Sequence, residues 1–309
     1  MDLLSDILDT LNMRGVFYFQ TSFGGKWGVT VPDYQQAARF HYVVQGQLHV
    51  QPSSGESLIL GPGDLILIPH GRSHILSDSP CDTAPPLETV LSDVGYDGSG
   101  FLAVGEGFEH KKTKLICGHF SFREGADHPL LRSLPDYFVV TPSRRAANSM
   151  LDDVMRILLQ QVFSKKDGTM ASVTRLSEIM FIEILRVNLA ENEAYSKIMN
   201  AFTDQKISQA ISLIHAMPND GWTVERLASE VGMSRSRFAH RFKELLSMGP
   251  MAYLSEWRLQ KSLKLLDTSN VNIQQIASES GYKSAAAFTR AFSSQFGFSP
   301  TEYRQKSTH

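Results

Sequence analysis

Cysteine is scarce in this chain of 309 residues, which contains only Cys81 and Cys117. Two cysteines cannot build the disulfide framework of a small secreted protein. No stretch approaches the roughly 20 apolar residues that a membrane-spanning helix needs. The amino-terminal segment MDLLSDILDTLNMRG is acidic and amphipathic, and it has no basic region or long apolar core of a signal peptide. These absences predict a cytoplasmic protein that does not act at a membrane.

A large excess of charge of either sign is also missing, since 30 lysines and arginines face 32 aspartates and glutamates. The charge is unevenly distributed, however. Residues 201–309 carry 13 basic against 9 acidic side chains, whereas the remaining residues carry 17 against 23. Because DNA is a polyanion, a positive excess belongs on the part of a protein that meets phosphates. The excess is modest and does not indicate DNA binding by itself.

A tandem repeat is the most informative feature that is present. Thr223–Leu246 and Asn272–Arg304 each predict a short amphipathic helix that ends at a glycine, Gly232 or Gly281, followed by a tight turn and a second helix. Ser234 and Ser284 precede the second helices, where a hydroxyl is expected to accept a hydrogen bond from the first turn. Phenylalanines spaced i, i+4 predict the buried face of each second helix. The pattern is typical of two helix-turn-helix units.

The second helix of each unit is predicted to enter the major groove of double-stranded DNA, with its N-terminal turn nearest the base edges. A helical stretch from Met251 to Leu266 joins the two units and would hold these recognition helices about 34 Å apart, one turn of the duplex. The residues that we expect to contact DNA are Ser234, Arg235, Ser236, Arg237, His240, Arg241, Ser284, Ala285, Ala286 and Arg290.

The first half of the chain predicts a different class of structure. Short runs rich in Val, Ile, Phe and Tyr, separated by Gly, Pro and Ser, fill residues 15–125 and indicate a β-barrel or sandwich. Ser149–Ser164 and Thr169–Glu191 have helical periodicity and predict a pair of antiparallel helices. We therefore expect an α+β protein with a β-barrel sensor domain at 1–140, a helical connector at 141–200 and an all-α DNA-binding domain at 201–309.

The tandem units resemble the AraC/XylS-type transcription regulators over residues 205–304. The resemblance is carried by Trp222-Thr223, Ile276-Ala277, Gly281-Tyr282 and the closing segment from Phe292 through Ser299-Pro300 to Tyr303-Arg304. It implies a sequence-specific regulator at a promoter operator, and we expect an activator that works with RNA polymerase and is not an enzyme. The apolar stripe of the connector helices is most often one that covers a barrel or a neighbouring helix, and the resemblance adds a second interpretation, in which part of it is a homodimer interface. One departure is Ser247-Met248-Gly249-Pro250, where the family usually has Gly-x-Ser/Thr-Pro, and an altered turn is expected there.

The barrel resembles a cupin. Tyr42-Val43-Val44-Gln45-Gly46 is similar to the strand and turn of the first cupin motif, and Pro62–His74 to the second, which points a histidine into the barrel. The first motif of an enzymatic cupin also has two histidines and a glutamate, but here Arg39 stands at the glutamate position. The Cys117-Gly118 pair and the segment His128–Pro135 match a subgroup of sensor domains. An enzymatic metal site is therefore disfavoured, although a metal-dependent cupin enzyme fused to a DNA-binding domain is the alternative function.

The predicted signal-binding residues are His41, His74, Cys117 and His119. His74 is the histidine of the second motif, His41 has the inward parity of the missing glutamate, and Cys117 and His119 share one strand face. Three interpretations stay open: a pocket for a small organic effector, a Zn site built from histidine and cysteine ligands, and a thiol at Cys117 that senses an oxidant. No cofactor is required, and Zn is a candidate only in the barrel.

Two loop-like stretches, Asp82–Pro86 and Asp93–Gly100, interrupt the β pattern. They are expected to be either a lid over the barrel mouth or plain surface loops, of which the second is the simpler interpretation.

Overall fold

The computed structural model describes residues 2–34, 36–96, 101–105, 112–164, 166–191 and 193–307. The chain divides into two compact units, which we call the barrel unit and the helical unit. The barrel unit contains residues 13–122 and 134–190, and the helical unit contains residues 1–12, 123–133 and 191–309. Each unit is therefore assembled from separate stretches of sequence.

The barrel unit is built from a six-stranded and a four-stranded sheet. The strands are β1 (Arg14–Phe23), β2 (Gly28–Val31), β3 (Ala37–Gln45), β4 (Leu48–Pro52), β5 (Leu58–Leu60), β6 (Leu65–Ile68), β7 (His74–Ser77), β8 (Phe101–Val104), β9 (Thr113–Ser121) and β10 (Phe138–Val140). The orders are β10-β6-β3-β9-β1-β8 and β2-β7-β4-β5. One core contains apolar side chains of both sheets, among them Val43 and Leu115 from the first and Val29 and Leu76 from the second. The expected cupin-like barrel is confirmed.

Helices accompany the sheets of the barrel unit and are numbered here along the whole chain. They are α2 (Leu87–Asp93), α4 (Pro142–Ala146), α5 (Ser149–Val162) and α6 (Thr169–Glu191). The two long connector helices therefore form where the periodicity predicts them. α6 packs on the barrel, since the Phe181 ring contacts Phe120 and Phe122 and the Glu178 carboxylate accepts a hydrogen bond from Gly15.

The helical unit contains the two helix-turn-helix units and the segments packed on them. Its helices are α1 (Leu3–Leu11), α3 (Pro129–Arg132), α7 (Glu193–Thr203), α8 (Gln205–Ala216), α9 (Val224–Glu230), α10 (Arg235–Leu246), α11 (Pro250–Thr268), α12 (Ile273–Glu279), α13 (Ala285–Phe296) and α14 (Pro300–Ser307). No helix in the described ranges is both long enough and apolar enough to cross a membrane.

The turn chemistry of the two repeats follows the sequence prediction, with one correction. Gly232 and Gly281 follow α9 and α12 with φ of 61° and 76°, values that glycine adopts without a steric penalty. Ser284 caps α13 by accepting a hydrogen bond from Ala287 N at 3.2 Å. Ser234 occupies the N-cap position of α10 but makes no side-chain capping bond, so the capping role predicted for its hydroxyl is wrong. The hydroxyl is instead exposed at the start of the recognition helix.

The altered turn that was expected between α10 and α11 shows in the backbone conformation at the end of α10. Ser247 takes the left-handed conformation, with φ of 60°, at the end of α10. Gly297 takes the same conformation after α13, with φ of 80°. A residue with a Cβ pays a strain penalty in this region that glycine does not. The departure from the family pattern therefore changes the helix terminus while the two helices still form.

The connector α11 fixes the separation of the two helix-turn-helix units by packing along its whole length. Its N-terminal half buries Tyr253 and Trp257, and Tyr253 contacts Phe242 of α10. Its C-terminal half buries Leu263 in the core of the second helix-turn-helix unit together with Phe292 of α13. Because buried aromatic side chains dominate the packing of a small core, α11 acts as a stiff spacer between α10 and α13.

Two segments assigned from the sequence to the sensor domain at 1–140 belong to the helical unit instead. α1 ends at Leu11, three residues before β1 begins, and packs on α8 and α11. The loop and helix of residues 123–133 follow β9 and contact α11, where Gln260 bonds the backbone of Gly125 and Asp127. These contacts were not predictable from local sequence patterns, because both segments adjoin barrel strands and meet partners more than 100 residues away.

A buried relay of polar groups joins these two segments to the rest of the helical unit. Leu130 N donates to His128 Nδ1 at 3.0 Å, and His128 Nε2 lies 3.0 Å from the Tyr253 hydroxyl. The hydroxyl lies 2.7 Å from His215 Nε2, and His215 Nδ1 lies 2.9 Å from an Asp6 carboxylate oxygen. With both histidines neutral, every proton in this chain has an acceptor. Burial accordingly lowers the pKa of His128 and of His215 and raises the pKa of Tyr253.

Candidate functional site

The first recognition helix, α10, presents its N-terminal turn to solvent. The apolar side chains Phe238 and Phe242 are fully buried, so the opposite side of the helix is exposed. The exposed predicted contacts are Ser234, Arg235, Ser236, Arg237 and His240. Arg237 and His240 also border a concave surface beside the helix with Lys206 and Ser234. This side of α10 has the charge and shape to approach a nucleic acid.

Arg241 differs from the other predicted contacts because acidic neighbours hold it. Its guanidinium lies 3.0 Å from Asp204, the residue that caps α8, and 2.9 Å from Glu244. The side chain is 40 % exposed, and these ion pairs direct it towards the start of α8. In this conformation Arg241 ties α10 to α8, and a direct role at base edges would require both ion pairs to break. Arg235 also has a partner, Glu225 of α9, but both side chains are well exposed.

The second recognition helix, α13, is less basic. Phe288 and Phe292 are buried, which leaves Ala286 and Arg290 exposed and Ser284 and Ala285 half-buried at the N-terminal turn. Ala285 N donates to the Gln274 side chain at 3.2 Å, so α12 supports this turn. Small side chains let a helix approach the groove closely, and an exposed arginine supplies charge.

Replacing Arg237 by alanine is expected to weaken binding of the full-length protein to its operator by about 1–3 kcal/mol if the guanidinium reads a base. If Arg237 contacts a phosphate instead, binding to all DNA sequences weakens alike. The slope of the logarithm of the binding constant against the logarithm of the salt concentration then falls in magnitude by about 1. The measurement is fluorescence anisotropy of labelled operator and unrelated duplexes over a range of salt. Lys243→Ala removes the same charge from the last turn of α10 and serves as the control. Equal losses in both variants would contradict the assigned orientation of α10.

The barrel unit contains a cavity of about 520 Å³. Pockets that bind small organic molecules have volumes of about 300–1,000 Å³, with mostly apolar walls and a few polar groups. The described residues that line this cavity are Thr21, Phe23, Val29, Val31, Tyr34, Arg39, His41, Leu76, Leu87, Glu88, Leu91, Tyr96, Leu102, Cys117 and Gly118. Six strands and α2 contribute to this wall, so a molecule inside would touch most of the barrel.

The stretch between the two loop-like segments contributes to this wall. Leu87, Glu88 and Leu91 of α2 and the following Tyr96 border the cavity. The sequence prediction of a lid or surface loops covered only the two flanking segments and made no assignment for the helix between them. Residues 97–100 of the second loop lie outside the described part of the chain.

Three of the four predicted signal-binding residues are in contact with one another inside the barrel unit. His41 Nδ1 lies 3.1 Å from Cys117 Sγ, and His41 Nε2 lies 2.8 Å from His74 Nε2. His74 Nδ1 lies 2.8 Å from the Arg72 carbonyl oxygen, which can only accept a hydrogen bond. If both histidines are neutral, His74 donates to that carbonyl, His41 donates to His74, and the Cys117 thiol donates to His41. All three side chains are buried.

This relay determines the electrostatics of the site. Burial keeps the pKa of His41 well below its usual range and lowers the pKa of His74 to about 4, and the positive charge of Arg39 adds to both effects. Burial raises the pKa of Cys117 to about 12. The relay is therefore neutral at physiological pH. A protonated, buried thiol is a poor nucleophile, so this arrangement does not favour the oxidant-sensing interpretation of Cys117.

The arrangement also does not fit a shared metal ion. Cys117 and His74 contact opposite ring nitrogens of His41, so no single point lies within zinc–ligand distances of about 2.0–2.3 Å of all three. Within the described residues, no group of three or more His, Cys, Asp or Glu side chains could hold a metal ion. In this conformation three of the four predicted Zn ligands form a hydrogen-bonded relay, and Zn binding by these residues stays a prediction.

His119 and Arg39 complete this region of the barrel. β3 and β9 are antiparallel neighbours that pair His41 with Cys117 and Arg39 with His119. The shared strand face predicted for Cys117 and His119 follows from this register, but His119 lies one step beyond the relay. Burial and the nearby charge of Arg39 lower the pKa of His119 to about 4. Arg39 itself borders the cavity, a role that its inward parity with His41 could have indicated.

The two units together define a class of protein. The helical unit carries two recognition helices on one stiff connector, and the barrel unit carries a cavity large enough for a small molecule. This combination is that of a DNA-binding regulator with its own sensor domain.

Comparison with known proteins identifies the family. A family model described as "Cupin" matches residues 2–190, and one described as "Helix-turn-helix domain" matches residues 227–306. The HTH-type transcriptional regulator AlkR of Acinetobacter baylyi is 32% identical over 314 residues, covering 99% of this chain and 100% of that protein. The RCS-specific HTH-type transcriptional activator RclR of Escherichia coli is 25% identical over 308 residues, covering 99% of this chain and 98% of that protein.

A structural relative is the DNA-binding domain of AdpA, solved in complex with a target DNA. It is 29% identical and covers 32% of this chain and 89% of that chain, with a TM-score of 0.31. The chain belongs to the AraC-type transcription regulators that have an N-terminal cupin domain, and it is a DNA-binding transcription regulator. Which of the predicted side chains contact DNA stays a prediction.

Proposed function

We propose that this regulator is controlled by a small organic molecule that binds inside the cupin barrel. The observation that carries the proposal is the cavity of about 520 Å³, whose wall combines apolar side chains with the polar end formed by Arg39, His41 and Cys117. An effector that binds one arrangement of the protein more tightly shifts the population towards that arrangement, and DNA affinity changes with it.

The same geometry supports a regulator that is not an enzyme and needs no cofactor. Arg39 replaces the glutamate of an enzymatic cupin, and both ring nitrogens of His41 are engaged in the relay. A Zn-dependent sensor is the competing proposal, because rotation of His41 and His74 would free their nitrogens. Metal analysis of the purified full-length protein distinguishes the two, since a Zn sensor retains about one equivalent that a strong chelator removes together with DNA-binding control.

Further partners are part of the proposal. The protein acts as a cytoplasmic activator that contacts RNA polymerase at its promoter. Activation is proposed over repression because the Escherichia coli relative is named a transcriptional activator. A homodimer would use the connector helices of the barrel unit, where Met150, Ile157, Phe163, Met170 and Ile179 are exposed. Several exposed apolar side chains on adjacent helices are typical of a protein contact.

Filling the cavity is expected to disconnect the regulator from its signal. Leu91→Trp on α2 adds a large ring at the cavity wall, whereas Thr89→Trp adds the same ring at an exposed position of the same helix. Each variant replaces the natural gene, and transcripts of promoters occupied by the protein are measured across growth conditions. We expect Leu91→Trp to flatten the response while promoter occupancy persists, and Thr89→Trp to follow the wild type. A wild-type response in Leu91→Trp would show that the signal does not enter through this cavity.

A further inference from the structure

The mostly apolar wall of the cavity groups Arg39, His41 and Cys117 on two neighbouring strands, and its further polar residues include Thr21, Glu88 and Tyr96. Arg39 and His41 lie two residues apart on β3 and therefore share a strand face, and Cys117 lies opposite His41 on β9. The walls away from this cluster come from apolar side chains such as Phe23, Val31 and Leu102. A molecule that fills the cavity therefore meets one cluster of polar groups, which we call the polar end, and mostly apolar side chains elsewhere.

The polar end carries positive charge. The relay of His41, His74 and Cys117 is neutral at physiological pH, an assignment that its hydrogen bonds accommodate. Arg39 is 4 % exposed, and a guanidinium is a cationic group with hydrogen-bond donors and no acceptor. Its charge acts on the nearby groups, since it contributes to lowering the pKa of His41, His74 and His119. The potential at this end is therefore positive in a poorly solvated environment.

The orientation of Arg39 favours recognition of a planar anion. Its guanidinium carbon lies 4.3 Å from the centre of the Tyr34 ring, a cation–π contact that restrains the side chain. A guanidinium presents paired N–H donors that match a carboxylate with two parallel hydrogen bonds. Glu88 of α2, the acidic residue on the cavity wall, is exposed. A second negative charge on the ligand near Glu88 would be repelled.

We propose that the effector is a hydrophobic monocarboxylate, with its carboxylate bound to Arg39 and its hydrocarbon or aryl body in the apolar part of the cavity. This assignment rests on the proposed function, because it names the chemical class of the molecule that the cavity binds. It makes Arg39 the residue that selects for charge, and the apolar wall the part that selects for size.

Matched probes test the charge of the ligand without knowledge of its identity. Phenylbutyrate, phenylbutanol and phenylbutylamine share one apolar body and differ in an anionic, neutral or cationic end at neutral pH. Each is titrated into the full-length protein by isothermal calorimetry. The buried Trp27, which stacks on the cavity residue Phe23 with ring centres 4.0 Å apart, provides a second, fluorescence readout. We expect phenylbutyrate to bind at least about tenfold more tightly than the alcohol, and the amine to bind most weakly.

Two variants assign that preference to Arg39. Arg39→Met keeps the length of the side chain without its charge and is expected to remove the preference for the acid, whereas Arg39→Lys keeps a cation and part of the preference. Equal binding of acid and alcohol by the wild type, an acid preference that survives in folded Arg39→Met, or no binding of phenylbutyrate at low millimolar concentration would each overturn the proposal. If Arg39→Met does not fold, the wild-type affinity ratio and Arg39→Lys still decide.

The outcome is separable from the proposed function. The Leu91→Trp and Thr89→Trp comparison reports whether the cavity receives the signal, whatever the charge of the ligand. A flattened response in Leu91→Trp with no acid preference would retain the cavity as the sensor and reject the carboxylate. A normal response in Leu91→Trp would reject both.

Discussion

Asp6→Ala is expected to destabilise the helical unit by about 1–3 kcal/mol, the usual cost of leaving a buried hydrogen-bond donor without its acceptor. The Asp6 side chain is 12% exposed, and its carboxylate lies 2.9 Å from His215 Nδ1 and 3.2 Å from Lys261 Nζ. Without it the buried relay through His215 and Tyr253 ends on a donor that has lost its acceptor. Burial raises the pKa of Asp6, but His215 and Lys261 outweigh burial and leave this pKa lowered, so the carboxylate is ionised in the folded protein.

Asp9→Ala is the matched control on the same helix. Asp9 pairs with Lys264 at 2.7 Å, but its side chain is 55% exposed. An exposed ion pair contributes about 0–1 kcal/mol. Urea unfolding of both full-length variants, followed by tryptophan fluorescence, measures the difference, since the His215 ring stacks on Trp257 with centres 3.5 Å apart. Equal losses in the two variants would mean that α1 contributes nothing specific to the helical unit.

Acidification is expected to destabilise the barrel unit below about pH 6.5, the ordinary histidine pKa. The folded state lowers the pKa of His74 to about 4 and that of His41 well below its usual range, so the unfolded chain binds protons first as the pH falls. The contribution of the two neutral histidines to the free energy of unfolding is therefore complete above pH 6.5 and is lost progressively towards pH 4. For His74 alone the difference between pH 7 and pH 4 is on the order of 3 kcal/mol.

The mutant His74→Leu isolates this effect. It removes the titrating group, and its unfolding free energy should change less between about pH 7.5 and about pH 5 than that of the wild type. His240→Leu replaces an exposed histidine of α10 and should retain the wild-type dependence. Urea unfolding at each pH gives the comparison. A wild-type pH dependence in His74→Leu would rule out the neutral relay as its source.

The features that the sequence predicts well are those encoded by neighbouring residues. The helix exits at Gly232 and Gly281, the phenylalanine pairs of α10 and α13 and the connector α11 all follow from local periodicity and backbone preference. The strand parity that placed His41 and Cys117 on one barrel wall is equally local. These patterns were sufficient for the fold, the family and the position of the DNA-binding unit.

The features that the sequence did not predict depend on distant partners. Asp6 and His215 are separated by about 200 residues, and no periodicity links them. The relay that replaced the predicted Zn site depends on the positions of His41 and His74 to within about 1 Å, because the same side chains slightly apart could ligate a metal. Arg241 has the position of a DNA contact in the helix pattern, but Asp204, which precedes α8, directs it elsewhere.

The split sequence of the helical unit has a consequence for biosynthesis. α1 buries Ile7, Leu8 and Leu11, yet α8 and α11 leave the ribosome about 200–250 residues later. At about 5–20 residues per second, that interval lasts roughly 10–50 s. The barrel strands can pair during this time, whereas the apolar face of α1 must wait uncovered. The nascent chain therefore exposes the apolar side chains of α1 until its C-terminal third is made, and the helical unit is complete only when the earliest and latest segments meet.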